Sequence, residues 1–115
     1  MYRSFEDLEV WKRGCNLAVD VYFALKDCRE FRLRDQMNSA AVSIPSNIAE
    51  GAERDSVKEF IHFLHISKGS AAELRTQLYI TEKIGILAPT TTRPLIAETK
   101  EIASMLQGLI NSKKP

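Results

Sequence analysis

The stretch from Ser39 to Gly51, Ser-Ala-Ala-Val-Ser-Ile-Pro-Ser-Asn-Ile-Ala-Glu-Gly, limits the folds open to this chain more than any other, because a proline stands inside an otherwise helix-compatible run. Pro45 removes one backbone hydrogen bond and crowds the carbonyl of Ala41, which costs about 3 kcal/mol in an uncompensated helix interior. Small residues flank it (Ala40, Ala41, Ser43, Ser46, Ala49), so a neighbouring helix can approach closely. Ser43, Ser46 and Asn47 can satisfy the freed backbone groups. The reading is one helix, kinked at Pro45 and ended at Gly51, that serves packing and bending.

The rest of the chain follows the helical period. Ser4 with Asp7 three residues on makes a helix start, and the first helix is expected to run to about Cys28. Leu8, Trp11, Cys15, Ala18, Tyr22 and Leu25 form one apolar stripe, and Val10, Leu17, Val21, Ala24 and Cys28 form a second about 120° away. One stripe fills the protomer core, and the second is the candidate subunit seam; a broad core-facing stripe in a monomer is the competing reading. Asp27 to Leu33 is a short charged connection, with Phe31 as a plug against the bundle end. The second helix runs from about Leu33 to Glu50, and Ala52 to Asp55 turns the chain.

Ser56, with Glu59 three residues later, opens a third helix whose core stripe is Phe60, Leu64, Ser67, Ala71, Leu74, Leu78 and Thr81. Gly69-Ser70-Ala71-Ala72 is a small patch suited to close packing against the proline region. Gly85 caps that helix at Lys83 or Ile84. Ala88 to Thr92 reads as loop and N-cap, with Pro94 tolerated only in the first turn of the last helix. Leu95, Ile102, Met105, Leu106 and Leu109 make that helix's apolar face, and Asn111 to Pro115 is expected to fray. No strand alternation is present. The predicted fold is all-α, an up-down-up-down antiparallel four-helix bundle with a proline-kinked second helix, over a single domain of residues 1–115.

Composition narrows the function classes. The 115 residues carry 16 Lys and Arg against 15 Asp and Glu. A net charge of +1 is no polycation, so a nucleic-acid surface requires charge segregated onto one face. Cys15 and Cys28, if both lie on the first helix, are separated by about 20 Å of rise, which excludes an intrachain disulfide. Two unpaired thiols, a charged start without a leader and no run of membrane-spanning length point to a cytoplasmic protein with no membrane partner.

Sites for chemistry are scarce. Glu59-Phe-Ile-His62 has the Glu-x-x-His spacing of di-iron bundles, but those need two such motifs, and His62 and His65 lack an obvious third ligand. No metal, cofactor, small-molecule substrate or catalytic residue is expected. The two cysteines fall on apolar stripes, where thiols are inert. Asn47 and Glu50 are expected to make buried hydrogen bonds or a salt bridge, with Arg54 or Arg75 as partners. Candidate phosphate contacts are Arg29, Arg32 and Arg34 at the first turn, with Lys12 and Arg13, then Lys58, Lys68, Lys113 and Lys114. Ordinary solvated surface charge is the alternative reading for all of these.

The run Gln36-Met37, then Ala40 through Gly51, followed by Arg54 and Glu59-Phe60, resembles the signature of the small four-helix proteins encoded in intervening sequences of bacterial 23S ribosomal RNA genes. The likeness extends to Phe5, Leu8 and Trp11, to Gly69-Ser70 with Glu73-Leu74, and to Gly85 with Leu87. Ser43, Pro45, Asn47, Glu50, Gly51 and Arg54 are the signature positions. A related branch, the accessory proteins of diversity-generating retroelements, is similar in fold and works with a reverse transcriptase.

The resemblance implies a four-helix protomer, a homopentamer and a link to nucleic acid. It also implies an Arg-Arg pair after the Gln, where this chain has Asn38-Ser39. Function is then expected to be a non-enzymatic oligomeric scaffold that binds structured RNA or DNA; a protein-interaction bundle with no nucleic-acid role is the alternative. The seam of Val10, Leu17, Val21 and Ala24 is the expected oligomer interface, closed as a ring or as a two-fold dimer, and only the resemblance selects five.

Overall fold

The computed structural model describes residues 4–115, and the part of the leader reading that falls on residues 1–3 lies outside them. Four helices form: α1 (Glu9–Ala24), α2 (Phe31–Ala52), α3 (Val57–Lys83) and α4 (Pro89–Lys113). No strand occurs among the described residues. Each helix packs on its neighbours in sequence, and α1 also packs on α4. The diagonal pairs, α1 with α3 and α2 with α4, make no close approach, so the chain goes up, down, up and down around one core. The bundle is a rod of 45 × 20 × 19 Å, which matches about 40 Å of rise along the 27 residues of α3.

The capping residues do their expected work, with one displacement. The Ser4 hydroxyl accepts from the Glu6 amide (3.1 Å), and the Asp7 carboxylate accepts from the Ser4 amide (3.4 Å). These bonds close a single 3-10 turn over Phe5–Asp7, and Leu8, in extended conformation (φ −73°, ψ 124°), separates it from α1. The first helix therefore starts later than the Ser4 signal implies, and the turn folds back so that Phe5 meets Trp11 edge-on at 5.3 Å. It also ends earlier, at Ala24, which leaves Cys28 in the connection. Phe31 is no plug: it opens α2 and is 56% exposed, and Arg34 on the following turn stacks over its ring at 4.8 Å.

Ser56 caps α3 by accepting from the Glu59 amide at 3.1 Å. The other end closes as a Schellman motif, in which the Ile86 amide donates to the Thr81 carbonyl (3.0 Å) and the Gly85 amide to that of Glu82 (3.2 Å). Gly85 adopts φ +81°, a value an L side chain rarely tolerates. The expected core stripe of α3 is buried throughout. Helix α4 begins at Pro89, so Pro94 stands in its second turn rather than its first, and the helix holds as far as Lys113. The Lys113 ammonium reaches over the Phe60 ring (5.7 Å), which ties down the end that composition alone marks for fraying.

The two stripes of α1 exchange roles. Val10, Leu17 and Val21 are 5%, 1% and 0% exposed and belong to the protomer core with Leu25, while Ala24 is half-buried and packs against that core. They cannot form a seam between protomers, because α2 and α4 already cover them. The other stripe carries the uncovered surface: Trp11, Cys15 and Ala18 are half-buried and Tyr22 is 58% exposed. Periodicity separated the two stripes except at Leu25, which joins the covered face, and at Cys28, which lies beyond the helix, and it held no information on which side α4 would close.

Candidate functional site

The signature residues Ser43 to Arg54 form a set of contacts between helices. Pro45 is buried, and α1 passes close to it at Gly14, where an added Cβ would sit 3.4 Å from Pro45 Cβ and Cδ. Helix α2 runs through Pro45 without interruption. Beside it, the Ser67 hydroxyl of α3 donates to the Ile44 carbonyl (2.8 Å), and the Ser43 and Ser70 hydroxyls share a hydrogen bond (2.8 Å). The Asn47 amide donates to both the carbonyl and the hydroxyl of Ser43 at 2.8 Å. Small polar residues thus supply hydrogen bonds around the proline, and the patch at Ser70-Ala71 packs on that region as expected. Gly69 itself faces open space.

Gly51 lies inside α2, which ends one residue later at Ala52, so it does not act as a terminator. A Cβ at Gly51 would fall 2.6 Å from Phe63 Cβ and 3.1 Å from Phe60 Cδ1; the glycine is required by the closeness of α3. Glu50 is exposed and pairs with Arg54 at 3.0 Å, rather than with Arg75. Arg54 also lies 3.9 Å from Glu59 and covers the Phe63 ring at 4.8 Å. Ser43, Pro45, Asn47, Glu50, Gly51 and Arg54 are each accounted for by packing or by a local bond.

The candidate phosphate contacts do not form one patch. Lys12 and Arg13 lie near the start of α1, whereas Arg29, Arg32 and Arg34 lie beyond its far end, about 18 Å of helix away from Lys12. Arg13 is taken: its guanidinium grips Glu98 of α4 through two bonds (2.9 and 2.5 Å), and that hydrogen bonding holds it protonated more firmly than an ordinary arginine. Lys68 donates to Gln107 (2.6 Å), and Arg34 pairs with Asp35 (3.1 Å). Lys26, Arg29 and Arg32 make no ion pair or side-chain hydrogen bond among the described residues. Arg32 and Arg34 also stand in the first turn of α2, where the helix dipole disfavours cations by about 0.3–1 kcal/mol.

Two features escaped the reading of the sequence. One is an apolar groove of about 380 Å³ between α1 and α2, lined by Phe5, Trp11, Cys15, Ala18, Val42 and Pro45. Its signal was the stripe assigned to the core. The other is a second groove, of about 290 Å³, where Tyr22, Lys26, Arg34 and Asn38 meet at the α1–α2 corner. Burial pushes the Cys15 thiol up, so it stays protonated at neutral pH; Cys28 is also free. His62 and His65 are exposed, and His62 meets the edge of Phe63 (5.6 Å). No three His, Cys, Asp or Glu side chains come together as metal ligands among the described residues, and no helix there is long and apolar enough to cross a membrane.

The model of the 23S rRNA-intervening sequence protein family matches residues 6–108. The chain belongs to that family. Its fold is also similar to the crystal structure of a protein of unknown function from the S23 ribosomal protein family of Bacteroides thetaiotaomicron, with a TM-score of 0.82 at 23% identity over 88% of this chain and 97% of that one. No curated protein matches this chain. The family match spans the turn at Phe5–Asp7 from Glu6 onward, both α1 faces and the whole proline region, so the contacts around Pro45 and Gly51 lie within the family's boundaries.

Proposed function

We propose that this family member is a non-enzymatic homo-oligomer that holds RNA or DNA at the α1–α2 end of its bundle. The observation that carries the assembly is the groove around Trp11: a chain with a sealed core leaves Trp11, Cys15, Ala18 and Val42 beside water, and Val42 is 54% exposed. Contiguous apolar surface of this kind marks an interaction site. The seam therefore moves from Val10, Leu17 and Val21 to the opposite stripe of α1. A ring of five is the closure implied by the resemblance, each copy presenting the groove to a different surface of the next.

Nucleic acid is supported by the family's connection with 23S ribosomal RNA and by Lys26, Arg29 and Arg32, which have no ion-pair partner among the described residues. A ring would repeat that cluster around its axis. The second reading, a protein-interaction scaffold without nucleic acid, is favoured by the near-neutral charge and by the engagement of Arg13 and Arg34 with acids.

Two measurements test the reading. Light scattering at micromolar concentration is expected to give a multiple of the 13.0 kDa protomer, and a monomer mass would remove the assembly. Filter binding of 23S-derived RNA at two salt concentrations is expected to show affinity that falls with salt. No retention at low salt selects the protein scaffold.

A further inference from the structure

We propose that the α1–α2 corner is a stacking site for unpaired nucleotides of RNA, an inference that rests on the nucleic-acid half of the proposed function. The most exposed aromatic rings among the described residues are Phe23 (63%), Tyr22 (58%) and Phe31 (56%), and all three lie at this corner. They are joined into one strip. Tyr22 and Phe23 meet edge-on at 5.4 Å. Tyr22 forms one wall of the groove whose other side is Arg34, and the Arg34 guanidinium lies 4.8 Å over the Phe31 ring. Cations stand among the rings: Lys26 and Arg34 line the groove beside Asp35 and the neutral amide of Asn38, and Arg29 and Arg32, in the adjoining connection and first turn of α2, have no acidic partner among the described residues.

That alternation of apolar π-face and positive charge is the complement of a single strand, in which an apolar base face alternates with a phosphate. An amphipathic helix of another protein needs an uninterrupted apolar trough, which the Trp11 groove offers and this corner does not. A duplex hides its base faces in its own stack and could use only the cations. Charge alone gives little here, since Lys26, Arg29, Arg32 and Arg34 stand beside Asp27, Glu30 and Asp35. The rings must therefore supply most of the affinity, and the salt dependence of binding is shallow.

The test is fluorescence anisotropy of the full chain with a labelled unstructured RNA of about twelve nucleotides and with a duplex of the same length. The single strand is expected to bind more tightly. Tyr22→Ala and Phe31→Ala are each expected to weaken it about 5- to 100-fold with little change for the duplex. Arg32→Ala should lower the salt slope by about 0.7, the value for one phosphate on a single strand. Circular dichroism of the ring variants should match the parent, because the rings are exposed. Parent protein that binds RNA while the ring variants bind equally well overturns the stacking site but leaves the broader reading intact; equal loss on both RNA forms does the same. A parent that binds neither RNA overturns both. A change of oligomer mass in Tyr22→Ala assigns the rings to assembly and also overturns the proposal.

Discussion

On α1, Leu17 and Val21 are sealed inside the protomer, whereas Trp11, Cys15 and Ala18 line an open groove only 100° or so further around the same helix. Both faces are apolar and both repeat at three-four spacing. They differ in their neighbours: α4 and α2 close over the first, and only α2 and the Phe5 turn border the second. An apolar stripe is thus a statement about what a helix must touch, not about which chain supplies the contact.

The most severe way to break this contrast is Val21→Asp. Val21 is fully buried, and an unpaired carboxylate there should cost at least about 3 kcal/mol. Loss of most helix signal in circular dichroism is expected, together with loss of assembly. Ala18→Asp puts the same charge on the open face and should leave the protomer helical while shifting light scattering toward monomer. If Ala18→Asp unfolds the chain too, or if Val21→Asp stays folded, the covered and open faces of α1 do not divide in this way.

Gly51→Ala comes next. Its new Cβ would meet Phe63 Cβ at 2.6 Å, an atom fixed to the α3 backbone, so the two helices must part. Overpacking of this kind costs about 1–3 kcal/mol, against less than about 1 kcal/mol gained from helix propensity. A lower midpoint of urea unfolding is expected, and an unchanged or higher one would mean that α2 and α3 are not so close.

The fold was largely legible because it depends on local signals. Ser56, Gly85 and the α3 stripe each act within one or two turns, and each took its expected place. The boundaries that shifted did so for tertiary reasons: Phe5 folding onto Trp11 detached the Ser4 turn from α1, and Lys113 over Phe60 kept the end of α4 ordered. Pro45 could be recognised as a packing element, yet its partner Gly14, on a different helix, could not. The candidate site was less legible for the same reason. Nothing near Arg13 announces Glu98, which lies 85 positions away, and the corner rings were hidden by their own apolarity, since Tyr22 reads as part of a helix stripe and Phe31 as a plug, yet both are exposed.

Arg13 and Glu98 link α1 to α4 across the mouth of the covered face, and a double-mutant cycle over Arg13→Ala and Glu98→Ala should give a coupling of about 0.5–1 kcal/mol. The pair is bidentate but about a third exposed (33% and 29%), which places it near the upper end for surface pairs and well below a buried one. A coupling indistinguishable from zero would mean that the apolar contacts alone close α4 over α1.

The smallest expected effect sharpens the contrast between covered and open positions at a second pair of residues. Gly69 is in the interior of α3, as Gly51 is in α2, but an added Cβ at Gly69 meets nothing within 4 Å. No helix crosses there, so Gly69→Ala introduces no overlap and only reduces the backbone freedom of the unfolded chain. Stabilisation of about 0.5–1 kcal/mol is expected, opposite in sign to Gly51→Ala, and it should appear as a higher urea midpoint at unchanged slope. The protomer structure predicts that gain in a monomer and in a ring alike. If Gly69→Ala instead lowers stability or mass in light scattering, another copy must approach α3 at Gly69, and the assembly would then use a face that includes Gly69 in addition to the groove at Trp11.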